Sequence, residues 1–571
     1  MKFWLLIFIS PSLFLSVLPS KNLWLFFISF SISLGVAIKL LLNSPNTSNN
    51  NNKKLPPGPP TIPFLGNLQL LKNKTLLDLE HFLRQLHAKY GPILTLRLGS
   101  STMIFISDHS LAHKALIQKG SIFSDRPPSQ GISRITNSNQ HTISSAGYGS
   151  VWRVLRRNLV SGVSHHSCVK SYSHGREWVL NQLIGVLRQH AESGEPVVVF
   201  DQIQYAMFSL LLQMCFGQKL DQSTVKKIED IQRRMLVGND ISALFPRIGK
   251  IIFRKRWNEV LQMRREKEEL FSPLIRARKE REYHQDGNGT YAFSYVDSLL
   301  GLEHPDGGRK LTEGEIVSLC SEFLTAGTDT TTTSLQWIMA NLVKHQDVQG
   351  KLVEEIEGVV GKEAEEVREE DLNKLHYLKA VILEGLRRHL PTHFLLPHAV
   401  SEEVTLEGYV IPKGATVNFM VGEVGWDEKV WDEPMAFKPE RFLDGGEKVE
   451  ITGSRKIEMM PLGVWRRICR ALNLASSYIT APFPCFFDKM CIRKVVSLVF
   501  ILLLSLNPVI MEAGRPWAGA ASPPLRENTT FRTLEKAPVE GSNRSSCTYT
   551  PAVGGKCPIS TVHGTGTARL P

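Results

Sequence analysis

Cysteine is scarce in this chain. There are eight in 571 residues, and Cys168, Cys215, Cys320 and Cys469 stand far apart. That spacing excludes a disulfide-stapled scaffold over roughly the first 480 residues and points to a reduced, cytosol-facing body. Acidic residues are in deficit, 55 against 67 Lys and Arg, for a net charge of +12. No basic stretch carries interleaved aromatics, which argues against a nucleic-acid site; the surplus reads as a membrane-facing or acidic-partner surface. No clean small-residue cleavage site follows the N-terminal apolar stretches, which disfavours a cleaved signal peptide.

The residues that are plentiful describe a globular chain with a real core: 42% hydrophobic and 21% charged residues. The length allows about two to four domains. Phe3 to Leu18 runs without charge but holds Pro11, and Leu23 to Leu42 is 20 residues, apolar apart from serines and Lys39. The second stretch is long enough to span a bilayer, with Lys39 snorkelling to the interface. Residues 1–45 therefore read as a membrane-anchor region with its span at about 23–42; a cleaved signal peptide is the alternative. Lys53 and Lys54 place the downstream body in the cytosol. Residues 46–60 are a polar spacer leading into Leu55-Pro56-Pro57-Gly58-Pro59-Pro60. They read either as a stiff polyproline hinge or as a plain linker.

Residues 75–90 have helical periodicity, and Ile93–Gly99 with Thr102–Ser107 reads as a β-hairpin. Trp152 and Arg156 share one helix face, suited to an acidic ligand edge or to simple packing. The charged stretch 254–284 reads as a solvated helix, and Asp286–Gly289 as a loop. Thr312 and Glu315 form a capping box that opens a helix of about 30 residues. Its middle holds Ala326-Gly327-Thr328-Asp329-Thr330-Thr331-Thr332-Thr333, poor helix formers at a place where function or a polar kink is expected. Gly327 would let a flat object approach the backbone. Asp329 beside Thr330 suits proton relay. Asp371 is expected to cap a helix that ends before Pro391, on which Glu384 and Arg387 can pair, with Arg441 able to join them. Residues 404–421 read as strands.

The remaining stretch is Met459-Met460-Pro461-Leu462-Gly463-Val464-Trp465-Arg466-Arg467-Ile468-Cys469-Arg470-Ala471. It sets one cysteine in a basic, glycine-containing loop. Nearby positive charge keeps a thiolate ionised, and a thiolate on haem iron pushes electron density onto the metal. A buried structural cysteine is the plainer reading.

The order of these motifs resembles the cytochrome P450 family, specifically the plant A-type microsomal monooxygenases. The resemblance rests on the Pro-rich hinge, Ala326-Gly327-Thr328-Asp329-Thr330-Thr331, Glu384-x-x-Arg387, Pro439-Glu440-Arg441-Phe442 and the Cys469 loop. It implies a mainly α fold with small β-sheets (α+β) behind an N-terminal membrane helix. It implies haem b as cofactor, with Cys469 as axial ligand of its iron. Trp152, Arg156, His398 and Arg467 would contact the haem propionates, with Gly327 also at the cofactor. Asp329 and Thr330 would be catalytic, relaying protons. Glu384, Arg387 and Arg441 would form a structural triad holding the cysteine loop. The implied reaction inserts one oxygen atom from O2 into a small hydrophobic organic substrate. Electrons would come from NADPH through cytochrome P450 reductase, at the endoplasmic reticulum membrane with a cytosolic catalytic body. No nucleic acid is implied.

Two departures bear on that expectation. The family loop reads Phe-x-x-Gly-x-Arg-x-Cys-x-Gly; here Leu462, Trp465 and Ala471 replace the aromatic and both glycines. Tryptophan does not easily take a positive φ or allow close approach. After Ala475, Pro482 and Pro484 forbid the helix the family places next. The haem domain is therefore expected over 61–475, incomplete at its end, with a junction at 476–489. From Met490, a basic segment and the apolar run Val495–Leu506 resemble a secretory signal, ahead of a polar tail with Cys547 and Cys557. The alternative function is thus a catalytically dead remnant joined by the gene model to a secreted signalling-peptide precursor.

Overall fold

The Pro-rich segment is tied to the body by its backbone. Pro57 O accepts from the Thr95 amide at 2.8 Å and Lys54 O from the Val410 amide at 2.9 Å. Gly58 fits here because a Cβ would overlap the Thr95 carbonyl. In the computed structural model the described residues are 54–469, less 63–64, 72–75, 100, 195–197, 237–248, 284–292, 306, 362–370, 444–450 and 452. Ser31, Ser33 and Gly35 are also described. The rest of the expected span at 23–42, the loop at 286–289 and everything after Cys469 lie outside them. No described helix is long and apolar enough to cross a membrane.

The main elements are α1 (Leu76–Tyr90), β1 (Ile93–Leu98), β2 (Ser101–Ile106), α2 (Ser150–Leu159), α3 (Ser173–Ser193), α4 (Val199–Phe216), α5 (Gln222–Leu236), α6 (Arg254–Tyr283), α7 (Glu313–Lys344), α8 (Gln346–Val360), α9 (His376–Arg388), β3 (His398–Ala399), β4 (Val404–Leu406), β5 (Tyr409–Ile411) and β6 (Thr416–Phe419). The first sheet runs β1-β2-β6-β3; β2 and β6 are parallel and the other pairs antiparallel. The second is the hairpin β4-β5. Its two-residue turn, Glu407 and Gly408, has positive φ at both positions, the turn whose twist matches paired strands. One hydrophobic cluster joins α4, α7 and α9, and another packs behind the first sheet.

Helix α7 is unbroken through its threonines. The Thr312/Glu315 capping box forms, and Arg309 grips Glu315 with two nitrogens at 2.8 and 2.7 Å. Thr328 and Thr330 donate their hydroxyls to the carbonyls of Leu324 and Ala326 at 2.8 and 2.7 Å. These i−4 bonds take up hydroxyls that would otherwise compete with the helix, and the helical run continues to Lys344.

Three expectations are corrected. Helix α6 is not simply solvated: Arg264, Lys267 and Arg278 are buried. Burial draws the Lys267 amine down to about 7, and Arg278 pairs with Asp297, Nε to Oδ1 at 2.9 Å. Asp371 does not cap α9; it opens a 3-10 turn, Asp371–Lys374. The carboxylate of Glu355 on α8 instead takes the first amides of α9, Tyr377 at 2.6 Å and Leu378 at 2.9 Å, donors a helix start always leaves over. Finally, the space Gly327 opens is filled by α4: a Cβ there would stand 2.8 Å from Leu211 Cδ1.

Replacing Gly58 by Ala forces its methyl group against the Thr95 carbonyl. Thermal unfolding should show a loss of about 1–3 kcal/mol; an unchanged midpoint would show that the segment is not fixed to β1.

Candidate active site

Glu384 and Arg387, one turn apart on α9, are completely buried and bonded in parallel, Nε to Oε2 at 2.7 Å and Nη2 to Oε1 at 2.8 Å. Glu384 also accepts from the Lys438 amide at 2.9 Å and from Arg441 Nε at 3.3 Å. Arg387 spends its other guanidinium nitrogen, Nη1, on Gly425 O at 2.7 Å. Both arginines lie over the ring of Trp431, at 5.1 and 5.9 Å. The Trp431 indole N–H in turn donates to Glu458 O at 3.1 Å, directly before the buried Met459 and Met460. The expected triad therefore forms, and Trp431 carries its hold to the cysteine loop.

That loop closes on itself. The Cys469 amide donates to Leu462 O at 2.8 Å and the Ile468 amide to Trp465 O at 3.2 Å. Arg156 Nη2 on α2 donates to Ile468 O at 2.7 Å. The Cys469 side chain is exposed. Trp465 has φ +55°, the left-handed region that a bulky side chain occupies only under strain. Its ring edge lies against Gly120.

Beside the loop stands a group of cations. The guanidinium carbons of Arg156 and Arg467 lie 4.9 and 4.5 Å from the Trp152 ring centroid. Arg467 donates to Ser124 O and Ala146 O, both at 2.8 Å. Arg126 donates to Ser144 O, Leu396 O and Pro397 O, all at 2.8 Å. His398 Nδ1 meets Phe123 O at 2.6 Å. Burial, then the charge of Arg467, brings Arg126 down to about 9. Burial brings Arg467 to about 10. His398 is held well below its ordinary value by burial and by Arg126. Like charges crowded out of water in this way favour a bound anion. On α7, Ala326 is exposed between buried Leu324 and Thr328, with Asp329 and Thr330 half-buried after it.

The sequence model of the Cytochrome P450 family matches residues 56–484. The chain belongs to the cytochrome P450 family. Cytochrome P450 89A9 of Arabidopsis thaliana is 43% identical over 507 residues, 85% of this chain and 97% of that protein. The flavonoid 3'-monooxygenase of the same plant is 32% identical over 80% of this chain and 90% of its own length. A solved zebra fish cytochrome P450 shares the fold, with TM-score 0.58 and 23% identity over 72% of this chain and 91% of that one. The chain is an enzyme of the P450 monooxygenase type, and the family implies a haem-iron cofactor.

The residues present fit that group. Three arginines and an indole, groups able to hold its two carboxylates, stand together beside the loop that carries the Cys469 thiol. Of the expected contacts, Trp152, Arg156, Arg467 and His398 are brought together here; Gly327 stands apart, facing α4. Arg126 was not legible beforehand, because its partners at 396 and 397 lie about 270 positions away. Trp431 was equally silent.

Trp465→Gly should relieve backbone strain of order 1 kcal/mol. Chemical denaturation should show the variant more stable than the parent; a less stable variant would mean that the contact with Gly120 outweighs the strain.

Proposed function

We propose that this P450 is a membrane-bound haem-thiolate monooxygenase that inserts one atom of O2 into a small hydrophobic organic substrate. The convergence of Arg126, Arg156, Arg467 and Trp152 beside the Cys469 loop carries the reading. Haem iron bound by a thiolate supplies the oxygen-activating chemistry. Cys469 would supply the thiolate ligand, its backbone amide being spent on Leu462 O. Arg126, Arg156, Arg467 and Trp152 would hold the carboxylates of haem b. The Asp329 carboxyl and the Thr330 hydroxyl, which rests on Ala326 O, carry protons inward along α7. The apolar run at 23–42 supports a single-pass anchor in the endoplasmic reticulum membrane with this body on the cytosolic side.

Electrons derive from NADPH through a separate flavoprotein reductase. Arg153, Arg157 and Arg466 are exposed beside the loop, and Arg153 and Arg466 each lie 5.4 Å from the Tyr148 ring centroid. Such a face suits an acidic partner. A catalytically dead remnant is the second reading, favoured by the strained Trp465 in the ligand loop.

Full-length protein in microsomes, reduced under carbon monoxide, should show a thiolate-type Soret band, and Cys469→Ser should lose it. A parent chain without that band rules out the monooxygenase and leaves the remnant. In a second assay, raising ionic strength should slow reduction by the flavoprotein, since exposed charges are screened within about 10 Å at 0.1 M salt. Salt-independent reduction would remove the electrostatic docking face.

A further inference from the structure

Glu322 lies on α7, one turn before Ala326, and the proposed chemistry leaves it without a task. Its two oxygens accept from consecutive backbone amides of the loop before α2, Ile143 to Oε2 at 2.8 Å and Ser144 to Oε1 at 2.6 Å. The carbonyls of the same two residues face the cation group. Ser144 O takes Arg126 Nε at 2.8 Å, and Ile143 O stands 3.5 Å from Arg467 Nη1. Each residue is thus gripped on its amide side by Glu322 and offers its other side to an arginine. Glu322 also acts on Arg126 through space, its charge opposing the effect of Arg467. Burial raises its own pKa against the hydrogen bonds it accepts, so the carboxylate is held in a costly place.

We propose that Glu322 is a positioning residue for the carboxylate-binding arginines: by pinning the Ile143–Ser144 backbone to α7 it sets where Arg126 and Arg467 meet the haem carboxylates. Helix α7 would then serve the site twice, through Asp329 and Thr330 and, by way of Glu322, through this loop. The inference rests on the haem reading above. It differs from a general packing role, because it acts only on a ligand that carries carboxylates.

The test compares haem with its dimethyl ester, which has the same ring and iron but no carboxylate charge. Parent, Glu322→Ala and Glu322→Gln are loaded with each, and transfer to excess apomyoglobin is timed. Groups behind a metal cofactor's direct contacts change affinity by about 10–100-fold, so Glu322→Ala should release haem about tenfold faster than the parent. It should release the ester at the parent's rate. Glu322→Gln, which keeps size and one accepting oxygen, should fall between and covers the case in which the alanine variant does not fold. Equal acceleration of haem and ester, or no acceleration of haem, overturns the proposal. A parent chain that takes up neither ligand overturns the haem reading itself, and this role with it.

Discussion

A carboxylate and a guanidinium with no access to water lie at the centre of this fold. Removing two charges from water costs several kcal/mol each unless every lone pair and proton is met. Glu384 and Arg387 come close to that condition with parallel bonds to each other, the Lys438 amide, Arg441 and the Gly425 and Ala436 carbonyls. Satisfying the pair therefore requires α9, the turn near Gly425 and the segment around residue 440 to be in place at once. Trp431 extends the requirement to Glu458, so the ligand loop inherits its position from a pair that touches no substrate.

The second grouping works in the opposite sense. Arg126, Arg156 and Arg467 are each anchored by backbone carbonyls, which fix direction without cancelling charge. The positive potential is kept available, and Asp125 and Glu322 offset only part of it at Arg126. The fold thus contains one charge cluster that is closed and one that is held ready for an anionic guest, both connected to the same loop.

Much of this was legible beforehand wherever the partners were near in sequence. The hairpin at 93–106, the capping box at Thr312, the Glu384/Arg387 spacing and the Trp152/Arg156 spacing all appear as read. Contacts between distant segments were hidden. Arg126 was one arginine among many until the chain brought 396 and 397 to it, and α6 looked solvated because its charge pattern does not reveal that Lys267 is covered by α7 through Ser321. Gly327 misled for a related reason: a missing side chain tells that something comes close, not which neighbour it is. Trp465 does bear out the departure in the loop sequence, since its backbone adopts the conformation normally left to glycine.

The two backbone bonds of the Pro-rich segment have a mechanical consequence. Lys54 is fastened to the small hairpin and Pro57 to the larger sheet, and Pro56 between them resists bending. Any tug or twist arriving from the N-terminal side is therefore shared between two β-layers and kept away from the helices that frame the ligand loop. The segment from residue 54 to 57 thus acts less as a swivel than as a welded bracket on the body.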